Sequence, residues 1–139
     1  MKAGIATIAL RNYNVFAALD LARDAGFAGV EIWGKPPHTP EGVDADHMRR
    51  VRDRARENGL TIPIFGSYVN PSWPEFDQKS ADAIQNAKLL GAKIIRIWAG
   101  NKEPDKSDDA LWQHVTRSLH DFALHAADEG LTLAMEMHA

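Results

Sequence analysis

The 139-residue chain contains no cysteine. That excludes disulfides and thiolate metal sites, so any metal must be held by His, Asp or Glu, and it fits a cytoplasmic protein. No apolar run reaches membrane-spanning length, and the start lacks a signal-peptide pattern, which predicts no membrane partner. Basic charge is not in excess either: 16 Lys and Arg stand against 19 Asp and Glu, a net charge of −3. Nothing there favours nucleic acid or another polyanion. The one basic cluster, Arg49, Arg50, Arg52, Arg54 and Arg56, is interleaved with Asp46, Asp53 and Glu57. It reads as a solvated helix face held by i,i+4 pairs.

What is present is a globular composition, 45% apolar and 25% charged, sufficient for one domain over residues 1–139. Helix-like runs pass into strand-like runs, and each junction carries a glycine: Gly26, Gly59, Gly91 and Gly130. Glycine just past a helix accepts the left-handed backbone that closes it. The spacing between them is that of one strand plus one helix, repeated without a break. Strands are predicted at 3–9, 29–33, 61–66, 93–99 and 131–138.

The helices follow from their caps and apolar periodicity. Asn14 caps the first, with Phe16, Leu19, Ala22 and Ala25 inward. Asp44 caps the second, with Met48, Val51 and Ala55 inward. The third runs from near Glu75 to Leu90 over Phe76, Ala83, Ile84 and Ala87. Ser107 is the expected cap of the fourth, over Leu111, Val115, Leu119, Phe122 and Ala126. Helix-to-strand turns are short, while three of the four strand-to-helix loops are long and hold Pro, Trp, Tyr, Asn and His. A parallel sheet with a binding face at the C-terminal ends of its strands has this form.

Polar residues inside the strands mark candidate sites. Glu31 shares a face with Trp33, and Arg96 shares one with Ile94 and Trp98. A barrel interior lets a Glu meet an Arg from an alternate strand, so the two are placed inside and paired, in a structural role. The alternative is that either extends to the sheet rim. In the last strand Leu131, Leu133, Met135 and Met137 point one way, and Thr132, Ala134, Glu136 and His138 the other. That second face ends in a carboxylate and an imidazole, where parallel folds bind ligands. Trp33, Trp98 and Tyr68 stand at strand ends, where aromatics line a substrate pocket or simply pack the rim. His47, His114, His120 and His125 read as helix-surface residues, and His38 as a loop residue on the binding face.

Three stretches carry a family resemblance: Ala25-Gly-Phe-Ala-Gly-Val-Glu-Ile-Trp33, Leu89-Leu-Gly-Ala-Lys-Ile-Ile-Arg-Ile-Trp98 and Ala134-Met-Glu-Met-His138. In this order and spacing the chain resembles the xylose-isomerase-like TIM barrels, a superfamily of sugar-phosphate isomerases, epimerases and apurinic endonucleases. The resemblance implies an α/β fold of the (β/α)8 barrel type, here an incomplete barrel of about five parallel strands and four helices. It implies one divalent metal (Mn, Mg, Co or Zn), held by two Glu, one Asp and one His from the later strands. Glu136 matches the first of those Glu, as metal ligand and proton-transfer residue. His138 matches a residue that lines the substrate pocket, with Trp98, Trp33 and Tyr68 beside it. The other ligands belong to strands six to eight, which this sequence does not contain.

The implied chemistry is metal-assisted proton transfer next to a carbonyl, through an enediolate, on a small sugar or sugar phosphate. The chain alone is expected to be inactive, a metal is expected only for the complete barrel, and the open edges are expected to self-associate. A sugar dehydratase of the same superfamily and a non-catalytic half-barrel module are the alternatives. The endonuclease reading ranks lower, because those enzymes carry extra His at the ends of strands three and four. Here those ends read Phe65-Gly-Ser-Tyr68 and Ile97-Trp-Ala-Gly100.

Overall fold

A computed structural model describes residues 2–100 and 102–136. The elements alternate as the glycine spacing predicts. The strands are β1 (Gly4–Ala6), β2 (Gly29–Trp33), β3 (Thr61–Gly66), β4 (Ile94–Trp98) and β5 (Thr132–Glu136). The helices between them are α1 (Val15–Asp24), α2 (Ala45–Glu57), α3 (Phe76–Leu90) and α4 (Asp109–Asp128). The sheet runs β1-β2-β3-β4-β5 in sequence order with every pair parallel. Gly26, Gly59, Gly91 and Gly130 all take positive φ, between 69° and 79°. Each closes its helix in a conformation that costs a side-chain-bearing residue about 1 kcal/mol or more.

One sheet face is a core. Val30, Ile32, Phe65, Ile95 and Ile97 pack outward against Leu19, Met48, Val51, Ala87 and Phe122, all buried. The other face carries Glu31, Gly66, Arg96, Trp98, Ala134 and Glu136. Alternation holds in β3 only after a register shift: Gly29 pairs with Thr61, but Glu31 pairs with Ile64. The extra residue lies in the segment that holds Pro63, which has no N–H to offer the ladder.

Four expectations need correction. The first strand ends at Ala6, and Thr7–Leu10 winds into a 3-10 turn. There the Thr7 hydroxyl accepts the Trp33 N–H at 2.9 Å, in place of a strand carbonyl. In α1 the buried residues are Val15, Ala18, Leu19 and Ala22, whereas Ala25 lies past the helix end and is exposed. The cap of α4 is Asp108, whose carboxylate accepts the Leu111 N–H at 2.8 Å. Ser107 instead donates to the Glu103 carbonyl. Of the predicted α4 stripe only Phe122 and Ala126 are buried. With 20 residues α4 is roughly 30 Å long at about 1.5 Å each, against roughly 17 Å for a five-residue strand at about 3.3 Å each, and Leu111 and Val115 in its first half are only half-buried.

Asn14 and Asp44 cap α1 and α2 as expected, accepting from the N–H groups of Ala17 and His47. Arg49, Arg52, Arg54 and Arg56 of α2 are ion-paired, though mainly through i,i+3 and inter-helix contacts rather than i,i+4, while Arg50 lies over the Phe16 ring. Arg49 pairs with Asp46, Arg56 with Asp53, and Arg54 reaches Asp20 on α1 with both prongs at 2.9 and 2.7 Å. The Arg54 and Asn58 hydrogen bonds hold the Asp20 carboxyl below its ordinary pKa, against a smaller opposing effect of burial. No described helix is long and apolar enough to cross a membrane.

Candidate functional site

The inner face of the sheet converges on Arg96. Glu31 and Arg96 lie on β2 and β4, two strands apart, roughly 9 to 10 Å at ordinary inter-strand spacing. Only long side chains span that gap, and they must pass over β3. Gly66 pairs with Arg96 across the ladder and leaves the passage open. A Cβ there would stand 2.6 Å from Glu31 Oε1 and 3.0 Å from Arg96 Nη2. The expected pair forms with both prongs: Arg96 Nη2 donates to Glu31 Oε1 at 2.7 Å and Nε to Oε2 at 3.0 Å. Both side chains are mostly buried, 16% and 13% exposed, so the fork satisfies charges that would be costly alone. Burial works against the charged guanidinium, but Glu31 and Tyr68 outweigh it and raise the Arg96 pKa.

Arg96 has a second carboxylate partner that the sequence reading did not place there. Its Nη1 donates to Glu136 Oε2. Ala134, opposite Arg96 in the ladder, is small and leaves the guanidinium room to reach one step along β5. Trp98, which pairs with Glu136, donates its indole N–H to the same Oε2 at 2.9 Å. No hydrogen bond engages Glu136 Oε1 among the described residues, and this side chain is 40% exposed. Glu136 therefore stands at the C-terminal end of β5, inside the sheet's curve, with one oxygen held and one presented.

Tyr68 completes the cluster. It follows β3 in a left-handed backbone, φ 60°, the one described non-glycine residue with positive φ. Such strain persists only where surroundings over-determine it. Here its ring packs on Trp98 at 4.8 Å and under the Arg96 guanidinium at 4.9 Å, with Lys35 Nζ at 5.3 Å. Of the residues named from sequence, the structure thus brings together Glu136, Trp98 and Tyr68. Trp33 packs elsewhere, edge-on to His38 at 5.5 Å, and its buried indole N–H has no hydrogen-bond partner among the described residues. His138 lies outside the described residues. The link from Arg96 to Glu136 was missed, although strict alternation puts both on one face of neighbouring strands.

His38 is fully buried. Its Nε2 lies 3.0 Å from the Tyr13 carbonyl and its Nδ1 2.8 Å from the Thr7 hydroxyl. A carbonyl only accepts, so Nε2 carries the proton and Nδ1 accepts from Thr7. Burial lowers its pKa, opposed by its backbone hydrogen bonds to Tyr13 and Leu10. It is a neutral tie between the first two loops. His47 is half-buried and donates to the His38 carbonyl, while His114 donates to the Pro71 carbonyl.

A divalent cation needs several oxygen or nitrogen donors around one point. Among the described residues no three His, Asp or Glu side chains gather in that way. One oxygen of Glu136 is already taken, so these residues do not fit a complete metal centre.

A sequence-ordered parallel sheet with helices outside and an ionic cluster at its inner C-terminal side defines a β/α-barrel segment. The model of the xylose isomerase-like TIM barrel family matches residues 19–139, and the chain belongs to that family. It superimposes on the probable 3-DHS dehydratase AsbF from Bacillus anthracis with a TM-score of 0.80 at 20% identity, over 99% of this chain and 53% of that one. A xylose isomerase-like TIM barrel protein from Mycobacterium smegmatis in complex with magnesium gives 0.76 at 16%, over 99% and 55%. A D-psicose 3-epimerase gives 0.71 at 17%, over 99% and 52%. These likenesses show the fold. The chain spans about half the length of these three solved structures, and no curated protein matches it in sequence.

Proposed function

We propose that this chain is the part of a sugar or sugar-phosphate isomerase or epimerase barrel that supplies the first five strands, and that Glu136 takes part in proton transfer next to a carbonyl. The observation that carries this reading is the presentation of Glu136 Oε1 at the C-terminal end of β5, while Oε2 is held by Arg96 and Trp98. A carboxylate fixed by one oxygen and open at the other can accept a carbon-bound proton without first reorganising. Tyr68 and Trp98 supply the aromatic wall beside it. The divalent metal the family implies would draw most of its donors from outside the described residues, and by itself the chain is expected to turn over little or no substrate.

The test uses a barrel completed with strands six to eight, reading deuterium uptake from solvent into a ketose. Glu136→Gln keeps the shape and removes the base, and should cost at least about a hundredfold. His125→Gln, on the exposed side of α4, should stay within about twofold. Equal losses from the two would refute the role. Dehydration by the same base, the activity named for the Bacillus anthracis neighbour, is distinguished by loss of water from the product.

A further inference from the structure

Glu136 occupies the position that the resemblance assigns to a metal ligand, yet its neighbour is already a cation. Arg96 donates to Oε2, Trp98 donates to the same oxygen, and nothing described engages Oε1. The guanidinium is not adventitious. It is locked to Glu31 by two hydrogen bonds at 2.7 and 3.0 Å, threaded over a position where any side chain would collide, and covered by the Tyr68 ring. One guanidinium faces two carboxylates.

We infer that Arg96 is the resident counter-cation of this site: it occupies the Glu136 oxygen that an external divalent cation would otherwise use, and it excludes such a cation from bidentate contact with Glu136. The inference rests on the proposed reading of Glu136 as the functional carboxylate of this site. Its physical basis is competition. An ion bound at Oε2 would lie next to a fixed like charge in a partly buried setting, where such repulsion is less screened than in open water. An ion bound at Oε1 alone has a single carboxylate oxygen and forms a weak complex. Arg96 thus acts as a positioning residue: it holds Glu136 in place and restricts what may bind it.

The experiment measures Mn2+ binding to the purified chain by water-proton relaxation, with circular dichroism confirming that each variant is folded. Wild type should bind weakly. Arg96→Met should bind at least about tenfold more tightly, because both carboxylates lose their internal partner. Trp98→Phe removes one neutral donor from Oε2, so it should tighten binding by a smaller factor without altering charge. Arg96→Lys keeps the charge but loses the fork, and should fall between wild type and Arg96→Met. Adding Glu136→Gln should abolish each gain.

If Arg96→Met does not fold, Trp98→Phe and Arg96→Lys carry the test. Tight wild-type binding that is lost in Glu136→Gln would overturn the inference and leave the proposed role of Glu136 standing. Gains in the Arg96 variants that persist with Glu136→Gln would also overturn the inference, since the cation would then not be held by Glu136. Absence of Mn2+ binding in every variant, or an unchanged affinity across them, would also overturn the inference.

Discussion

Replacing Gly66 by alanine isolates the ionic cluster in a single step. Its φ is not in the left-handed region, so alanine meets no backbone penalty. The three atoms nearest the added Cβ are all side-chain atoms of Glu31 and Arg96, with Glu31 Oε1 at 2.6 Å. Ordinary contact begins near 3.4 Å, so the carboxylate must retreat by roughly 0.8 Å and give up one prong of the fork. A hydrogen bond between charged groups contributes about 1.5–3 kcal/mol. Gly→Ala recovers about 0.4–1 kcal/mol by restricting the unfolded chain. The expected net loss is about 1–2 kcal/mol, read from urea denaturation midpoints at constant slope.

The decisive measurement is the double-mutant cycle. In a Glu31→Ala background there is no carboxylate to displace, so Gly66→Ala should become neutral or slightly stabilising, a coupling of about 1.5–3 kcal/mol. Gly34 is the control, because a Cβ there would strike the Gly66 carbonyl at 2.6 Å and the Ser67 Cα at 2.9 Å. Its cost should be independent of Glu31. A coupling below about 0.5 kcal/mol between Gly66 and Glu31 would refute the passage argument.

Other outcomes follow from features on the outside of the sheet and in the loops. Because the folded-state pKa of His38 is lowered from 6.5, the unfolded chain binds the extra proton first. Stability is then full above that value and falls as pH drops below it; His38→Gln should flatten this slope between pH 7.5 and 5.5 in urea melts. Met135 on β5, and Trp112 and Leu124 on α4, are about half exposed. With β1 and β5 unpaired on their far sides among the described residues, the chain should sediment as a concentration-dependent self-associating species at micromolar levels. A sharp monomer boundary at every concentration would count against this.

Much of the frame was legible in the chain. The four closing glycines marked the strand–helix units, and the boundaries of the second and third strands followed from apolar runs between turn residues. The core of α2 was readable because Met48, Val51 and Ala55 recur at helical spacing among charges. Errors arose at element ends, where the Thr7 hydroxyl takes over a backbone task after β1 and the cap of α4 falls one residue on, at Asp108 instead of Ser107. Periodicity carries no sign of such substitutions.

The site was half legible. Glu31 and Arg96 were paired from their faces alone, but the passage over Gly66 depends on which strand lies between them, a property of the sheet rather than of any local pattern. Arg96 was also missed as a partner of Glu136. The offset was recoverable: Arg96 opposes Ala134, Trp98 opposes Glu136, and all four share the inner face.

The Glu31–Arg96 fork joins residues 65 positions apart. It cannot form until three consecutive strands have aligned, since a slip of one residue in β4 would turn Arg96 to the opposite face. Contacts of such long sequence separation must first offset the closure entropy of the intervening chain. The stabilising effect of the fork is therefore expected on the native side of the barrier, where Glu31→Ala should speed unfolding more than it slows folding. The fork is in this sense a kinetic lock, holding strands already in register rather than guiding them there.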